Sequence, residues 1–100
     1  MGEYNVILSP CAKNDFYSMV EYMKAMSPDT LLRSFDSFME KTALLRKVPD
    51  CCPLARDAQL RLRGYRLLKI DKFIIFYTIT GHVVEIRRIL YAGRQYERLF

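Results

Sequence analysis

Histidine is almost missing from this chain: His82 is the only one. Nucleophilic catalysis by a hydroxyl or thiol needs a base held beside the nucleophile, so no Ser-His-Asp or Cys-His constellation can be drawn. His82 stands beside Gly81 in a turn, without the neighbouring ligands a zinc site requires, and no metal site is expected. Cysteine is also scarce, with Cys11, Cys51 and Cys52 alone. An odd number with two adjacent gives neither a disulfide framework nor a Cys-x-x-Cys motif, so all three are read as reduced thiols. Four glycines leave no glycine-rich loop for a nucleotide phosphate, and no paired carboxylates of the glycosidase kind are visible. No cofactor is expected. No apolar run reaches the roughly 18–20 residues that span a bilayer, and Met1-Gly2-Glu3-Tyr4 lacks the basic start of a signal peptide. The chain is expected in the cytoplasm, away from membranes, as one domain over residues 1–100 with one core.

Positive charge is present, and it is unevenly placed. Residues 1–50 carry six Lys/Arg against seven Asp/Glu, and residues 51–100 carry ten against four, so the halves are −1 and +6 within the net +5. A basic half on a near-neutral one points to an acidic partner, either nucleic acid or an acidic protein segment, and charge does not choose between them. Tyr65, Tyr77, Tyr91 and Tyr96 fall among the arginines. That interleaving suits bases stacked beside phosphate contacts, and it equally suits strands that favour aromatic residues.

Tyr4 to Leu8 is rich in strand formers, and Ser9-Pro10 closes it with a helix start, a capping hydroxyl followed by proline at the first helical position. Down that helix Ala12, Phe16, Met19, Val20, Met23 and Met26 recur at helical spacing and predict a core stripe. Ser27-Pro28 repeats the start, and Leu31, Leu32, Phe35, Phe38, Met39, Thr42 and Leu45 predict a second stripe reaching Lys47. So short a link predicts an antiparallel helix hairpin. Val48 to Gly64, with Pro49, Asp50, Pro53 and no sustained period, reads as a connector anchored by Leu60 and Leu62. Tyr65–Ile70, Phe73–Thr78 and His82–Tyr91 read as three strands joined by tight turns at Asp71-Lys72 and Thr80-Gly81. The middle one, Phe73-Ile74-Ile75-Phe76-Tyr77, is apolar on both faces and is expected to be central and covered on both sides. Arg94 to Phe100 reads as a short terminal helical turn. The fold class is therefore α+β, an N-terminal strand and helix hairpin packed on an antiparallel β-meander.

Strict alternation along the last strand puts Val84, Ile86, Arg88 and Leu90 on one face and Val83, Glu85, Arg87, Ile89 and Tyr91 on the other. Each face then holds an arginine in an apolar row. With Arg66, Arg94 and Arg98 these residues either build a guanidinium cluster for phosphates or carboxylates, or pair with Glu85, Glu97 and Asp71 as rim charges.

The order of elements carries a set of specific residues: Tyr4-Asn5-Val6-Ile7-Leu8-Ser9-Pro10 with Ala12 and Asp15, then Arg56-Asp57 with Leu60, then Gly64-Tyr65-Arg66-Leu67-Leu68, Lys72-Phe73-Ile74-Ile75-Phe76-Tyr77, and Val84 to Glu97. In that order and spacing the chain resembles the RelE/ParE toxin superfamily across essentially its whole length. The resemblance implies a toxin masked by the C-terminal segment of a cognate antitoxin, in a toxin–antitoxin hetero-oligomer. It implies one of two targets. ParE-like members act on DNA gyrase, whereas RelE-like members cut messenger RNA on the ribosome without a metal. In the nuclease case Arg66, Arg88, Arg94 and Tyr96 match functional positions or residue types, with Lys69 as a further proton carrier. Arg61, Arg63, Arg87, Arg98 and Phe100 are the residues expected to touch target or antitoxin. Many of the nucleases place an arginine three residues before the tyrosine that ends the middle strand, and here that residue is Ile74. Isoleucine cannot stabilise a phosphorane, so the resemblance leans to the ParE side. A third reading, a degenerate module that keeps only antitoxin binding, stays open beside these two.

Overall fold

Both helices begin where a serine and a proline stand together. In the computed structural model, which describes residues 3–91, Ser9 precedes α1 (Pro10–Lys24) and its hydroxyl accepts the Ala12 N–H at 3.1 Å. Ser27 precedes α2 (Pro28–Lys47) and accepts the Thr30 N–H at 3.1 Å. Each such cap contributes about 1 kcal/mol to its helix. Ser9 has a second role, because its hydroxyl donates to the Arg87 carbonyl at 2.9 Å and its N–H donates to the Ile86 carbonyl at 2.9 Å. One residue thus starts the helix and ties that start to the last strand.

The strands β1 (Asn5–Leu8), β2 (Arg66–Ile70), β3 (Phe73–Thr80) and β4 (Val83–Tyr91) form one sheet in the order β1-β4-β3-β2. The last three make the expected antiparallel meander, and β1, whose place the sequence leaves open, lies parallel to β4. β3 runs two residues further than its pattern predicts, to Thr80, so the turn falls at Gly81-His82, with Gly81 at φ +59°. Asp71 in the first turn also takes a left-handed conformation, φ +53°, which aspartate tolerates because its short side chain can bond locally. Here its carboxylate accepts from the buried Ser34 hydroxyl of α2 at 3.0 Å.

The core has two parts on the two sides of β3. On the helix side Ala12, Met19, Met23, Phe38 and Leu45 meet Leu68, Ile75, Tyr77, Val84, Ile86 and Ile89. On the other side Phe76 and Leu90 meet Tyr65, Leu60 and Ala55. Ile75, Phe76 and Tyr77 have no exposed surface, as a central strand covered on both sides requires.

Three expectations change. The connector is not without regular structure: it holds a single 3-10 turn, Pro49–Cys51, and a short helix, α3 (Ala58–Leu62), capped by Asp57, whose carboxylate accepts the Leu60 N–H at 3.0 Å. Five residues are too few to establish a period in sequence, and of its two expected anchors Leu60 is buried while Leu62 is exposed. The alternation along β4 also breaks. A bulge at Arg87 of β4, opposite the Phe76–Tyr77 step of β3, pairs Tyr77 with Ile86 and Phe76 with Arg88, so Ile89, not Arg88, follows Val84 and Ile86 onto the helix side, and Leu90 joins the opposite core. Finally, the helix stripes are only partly covered. Leu32, Phe35 and Met39 of α2 are exposed by 63%, 44% and 52%, and Met26 lies beyond α1 and is exposed as well.

Candidate functional site

The fold distributes the arginines of the basic half in distinct environments. β1 accompanies β4 only as far as Leu8 opposite Ile86, and among the described residues no strand pairs with the next stretch of that edge. Asp15, brought there by α1, takes the place of one: its Oδ2 accepts the Ile89 N–H at 3.0 Å and the Arg88 Nε at 2.7 Å, while Oδ1 accepts from Arg88 Nη2 at 3.2 Å. The hydrogen bond and charge of Asp15 hold the Arg88 guanidinium above the ordinary arginine range. Arg88 therefore spends its fork on closing the sheet edge against α1.

Arg66 lies on the helix side of the sheet, in register with Tyr77, and its Nη1 donates to the Cys52 carbonyl. Arg61 clasps the connector, donating from Nε to the Ala55 carbonyl at 2.9 Å and from Nη2 to the Arg56 carbonyl at 2.6 Å. Neutral carbonyls satisfy these guanidiniums without cancelling their charge. Tyr65 gathers the other two: Arg63 stands 5.4 Å and Arg87 5.8 Å from its ring centroid, and Arg87 Nη1 pairs with Glu85 at 2.7 Å. Burial opposes the Arg87 charge, yet Tyr65 and Glu85 outweigh it and raise the group above its usual range. Its Nε is buried without a hydrogen-bond partner among the described residues.

The expected guanidinium cluster is accordingly not assembled from the described residues. Arg66 and Arg87 occupy opposite faces of the sheet, Arg88 is bound to Asp15, and Asp71 serves Ser34 instead of an arginine. The rim-charge alternative holds for Arg87 with Glu85. Arg94, Tyr96, Arg98 and Phe100, with Glu97 and the terminal helical turn, lie outside the described residues. Lys69 stands opposite Ile74 in the β2–β3 ladder, and Ile74 packs against the Tyr65–Phe76 core. Among the described residues no group of three or more His, Cys, Asp or Glu is placed to hold a metal, and no helix is long and apolar enough to cross a membrane.

Sequence reasoning missed two participants. Asp15 figures in the sequence only among the residues that carry the resemblance, without a role, because its partners lie 73 and 74 positions away. Tyr65 reads either as a stacking ring among the arginines or as a strand former, and only the fold shows it as the platform under two of those arginines. A third feature went unread, the uncovered apolar surface of the hairpin. Leu32, Phe35 and Met39 follow one another at three- and four-residue steps along α2. Beside α1 a groove of about 310 Å³ is lined by Asp15, Met19, Tyr22, Phe73, Ile89 and Tyr91, where β4 runs past the end of β1.

Comparison with known proteins locates this architecture. Over residues 6–96 the chain matches the family described as ParE toxin of type II toxin–antitoxin system, parDE. Its fold is similar to a solved structure titled "Chromosomal ParDE TA system from P. aeruginosa", with a TM-score of 0.71 and 17% sequence identity, covering 91% of this chain and 98% of that one. No curated protein matches the sequence.

Proposed function

Because the chain belongs to the family of ParE toxins of type II toxin–antitoxin systems, we propose that this toxin arrests growth by acting on DNA gyrase in the cytoplasm, and that a cognate antitoxin silences it by covering the hairpin face. The observation that carries the choice of target is Ile74. It is an apolar residue packed into the Tyr65–Phe76 core at a place where a nuclease would want a cation to stabilise the phosphorane. Arg88, a second candidate of the nuclease reading, is held by Asp15. In this reading residues 1–100 are one toxin domain. Arg63 and Arg87 on Tyr65, together with Arg61, Arg98 and Phe100, serve binding to target or antitoxin.

The antitoxin part rests on separate grounds. Leu32, Phe35 and Met39 are too exposed to serve the core, and a row of apolar side chains at helical spacing fits a partner segment laid along it. The test uses the purified chain. DNA supercoiling by gyrase is expected to be inhibited, with the inhibition relieved by the antitoxin and weakened by Arg94→Ala and by removal of the terminal residues through Phe100. Site-specific cuts in ribosome-bound messenger, abolished by Arg94→Ala or Tyr96→Ala, would overturn the gyrase assignment in favour of an endoribonuclease. Absence of both activities would leave a module that only binds its antitoxin.

A further inference from the structure

The function above makes no use of Cys51 and Cys52. Their sulfurs lie 3.6 Å apart across a trans peptide, the Cys51 side exposed and the Cys52 side half-buried against the helix-side core. The segment carrying them is fastened at both ends. The Tyr77 hydroxyl donates to the Pro49 carbonyl at 2.6 Å, the Cys51 N–H donates to the Val48 carbonyl at 3.0 Å, and Arg66 donates to the Cys52 carbonyl. Those bonds fix the backbone from which both thiols project.

The spacing discriminates between two uses of a thiol pair. A disulfide would need the sulfurs to close to about 2.05 Å, and it prefers Cα atoms about 5.5 Å apart where adjacent residues allow only about 3.8 Å. Bridging by one thiophilic atom needs much less movement, because two bonds of about 2.3 Å meeting near the tetrahedral angle hold their sulfurs ~3.8 Å apart. Partial desolvation and the neighbouring Cys52 thiol also raise the Cys51 pKa, which disfavours the thiolate that thiol–disulfide exchange requires.

We propose that Cys51 and Cys52 are a preformed bidentate sulfur site for a soft thiophilic centre of the trivalent arsenical class. Capture is a condensation without redox change: two As–S bonds form, the As–O bonds break, and the oxygen leaves as water with the two thiol protons. The bound atom links the last residue of the 3-10 turn to the residue that follows it, within the segment that Tyr77 and Arg66 already hold.

Phenylarsine oxide added to the full chain tests this. One equivalent is expected to bind, to resist an excess of a monothiol such as glutathione, and to be released by a small dithiol. Cys51→Ser and Cys52→Ser should each abolish that capture, whereas Cys11→Ser should keep it. The unfolded chain also carries both thiols, so the native site is tested by the melting temperature, which should rise on saturation if the folded spacing favours binding. Capture that survives either single substitution, or a melting temperature unchanged or lowered by the bound arsenical, would overturn the proposal. Cys51 is exposed, so Cys51→Ser decides the matter alone should Cys52→Ser fail to fold.

Discussion

Asp15 and Tyr77 each hold apart-lying segments together through a single polar group. Removing the Asp15 carboxylate takes an acceptor from two donors at once, the Arg88 guanidinium and the Ile89 N–H. Both members of the ion pair are largely shielded, with side chains 22% and 16% exposed. Asp15→Ala is therefore expected to cost about 2–4 kcal/mol, measured by denaturant unfolding, and Arg88→Ala in that background should add far less than it does alone. Additive losses would show that the two do not act as a pair. Tyr77 sits fully buried with its hydroxyl on Pro49, and burial, reinforced by the Cys52 thiol, raises its pKa far above the ordinary value. A phenol whose folded pKa is raised stabilises the fold below the unfolded value and loses that contribution as pH climbs past about 10. Tyr77→Phe should lower stability by about 1–3 kcal/mol at neutral pH, since the Pro49 carbonyl loses its donor. It should also make stability fall less steeply between about pH 10 and 11 than in the unmodified chain. An identical slope in both proteins would remove Tyr77 as the cause. Neither residue announces this role in sequence, because a contact between positions 15 and 88, or 77 and 49, leaves no local pattern.

At the level of elements the sequence is much more legible. Ser9-Pro10 and Ser27-Pro28 mark both helix starts to the residue, because capping chemistry is local, and the double-sided apolar run Phe73–Tyr77 marks the central strand. Periodicity loses its grip where geometry departs from the ideal repeat. The bulge opposite Phe76 shifts Ile89 and Leu90 to faces that strict alternation forbids, and α3 is only one turn long. The α2 stripe shows a different limit: spacing identifies an apolar face but not what covers it. Phe38 and Leu45 are covered by this chain, whereas Leu32, Phe35 and Met39 are left to a partner in the reading proposed above. Substitutions on the two parts should then separate. Met39→Glu should change stability by no more than about 0.5 kcal/mol while lowering antitoxin affinity in calorimetry by tenfold or more. Ile75→Asp should abolish folding altogether, because it buries an unpaired charge in β3. Equal antitoxin affinity with Met39→Glu would move the docking face elsewhere.

Across the whole molecule, the uneven charge read from the sequence keeps its meaning once the bonds are known. Arg88 and Arg87 are neutralised by Asp15 and Glu85, but Arg61 and Arg66 are held by carbonyl oxygens and Arg63 by an aromatic face, none of which carries an opposing charge. The field of the basic half therefore survives its internal bonding, centred on the connector and the face around Tyr65. The hairpin, by contrast, belongs to the near-neutral half and offers apolar contact. An antitoxin that uses both should show two separable responses. Raising salt from about 0.1 M to about 1 M shortens the screening length from ~10 Å to ~3 Å, which should slow association with the basic half while leaving the apolar contact intact. Arg63→Glu should mimic high salt, slowing association several-fold at low salt with little change in dissociation, whereas Met39→Glu should mainly speed dissociation. Stopped-flow or surface-binding kinetics at two salt concentrations would read both rates. An association rate indifferent to salt and to Arg63→Glu would assign antitoxin capture to the apolar face alone and leave the basic half to the toxin's target.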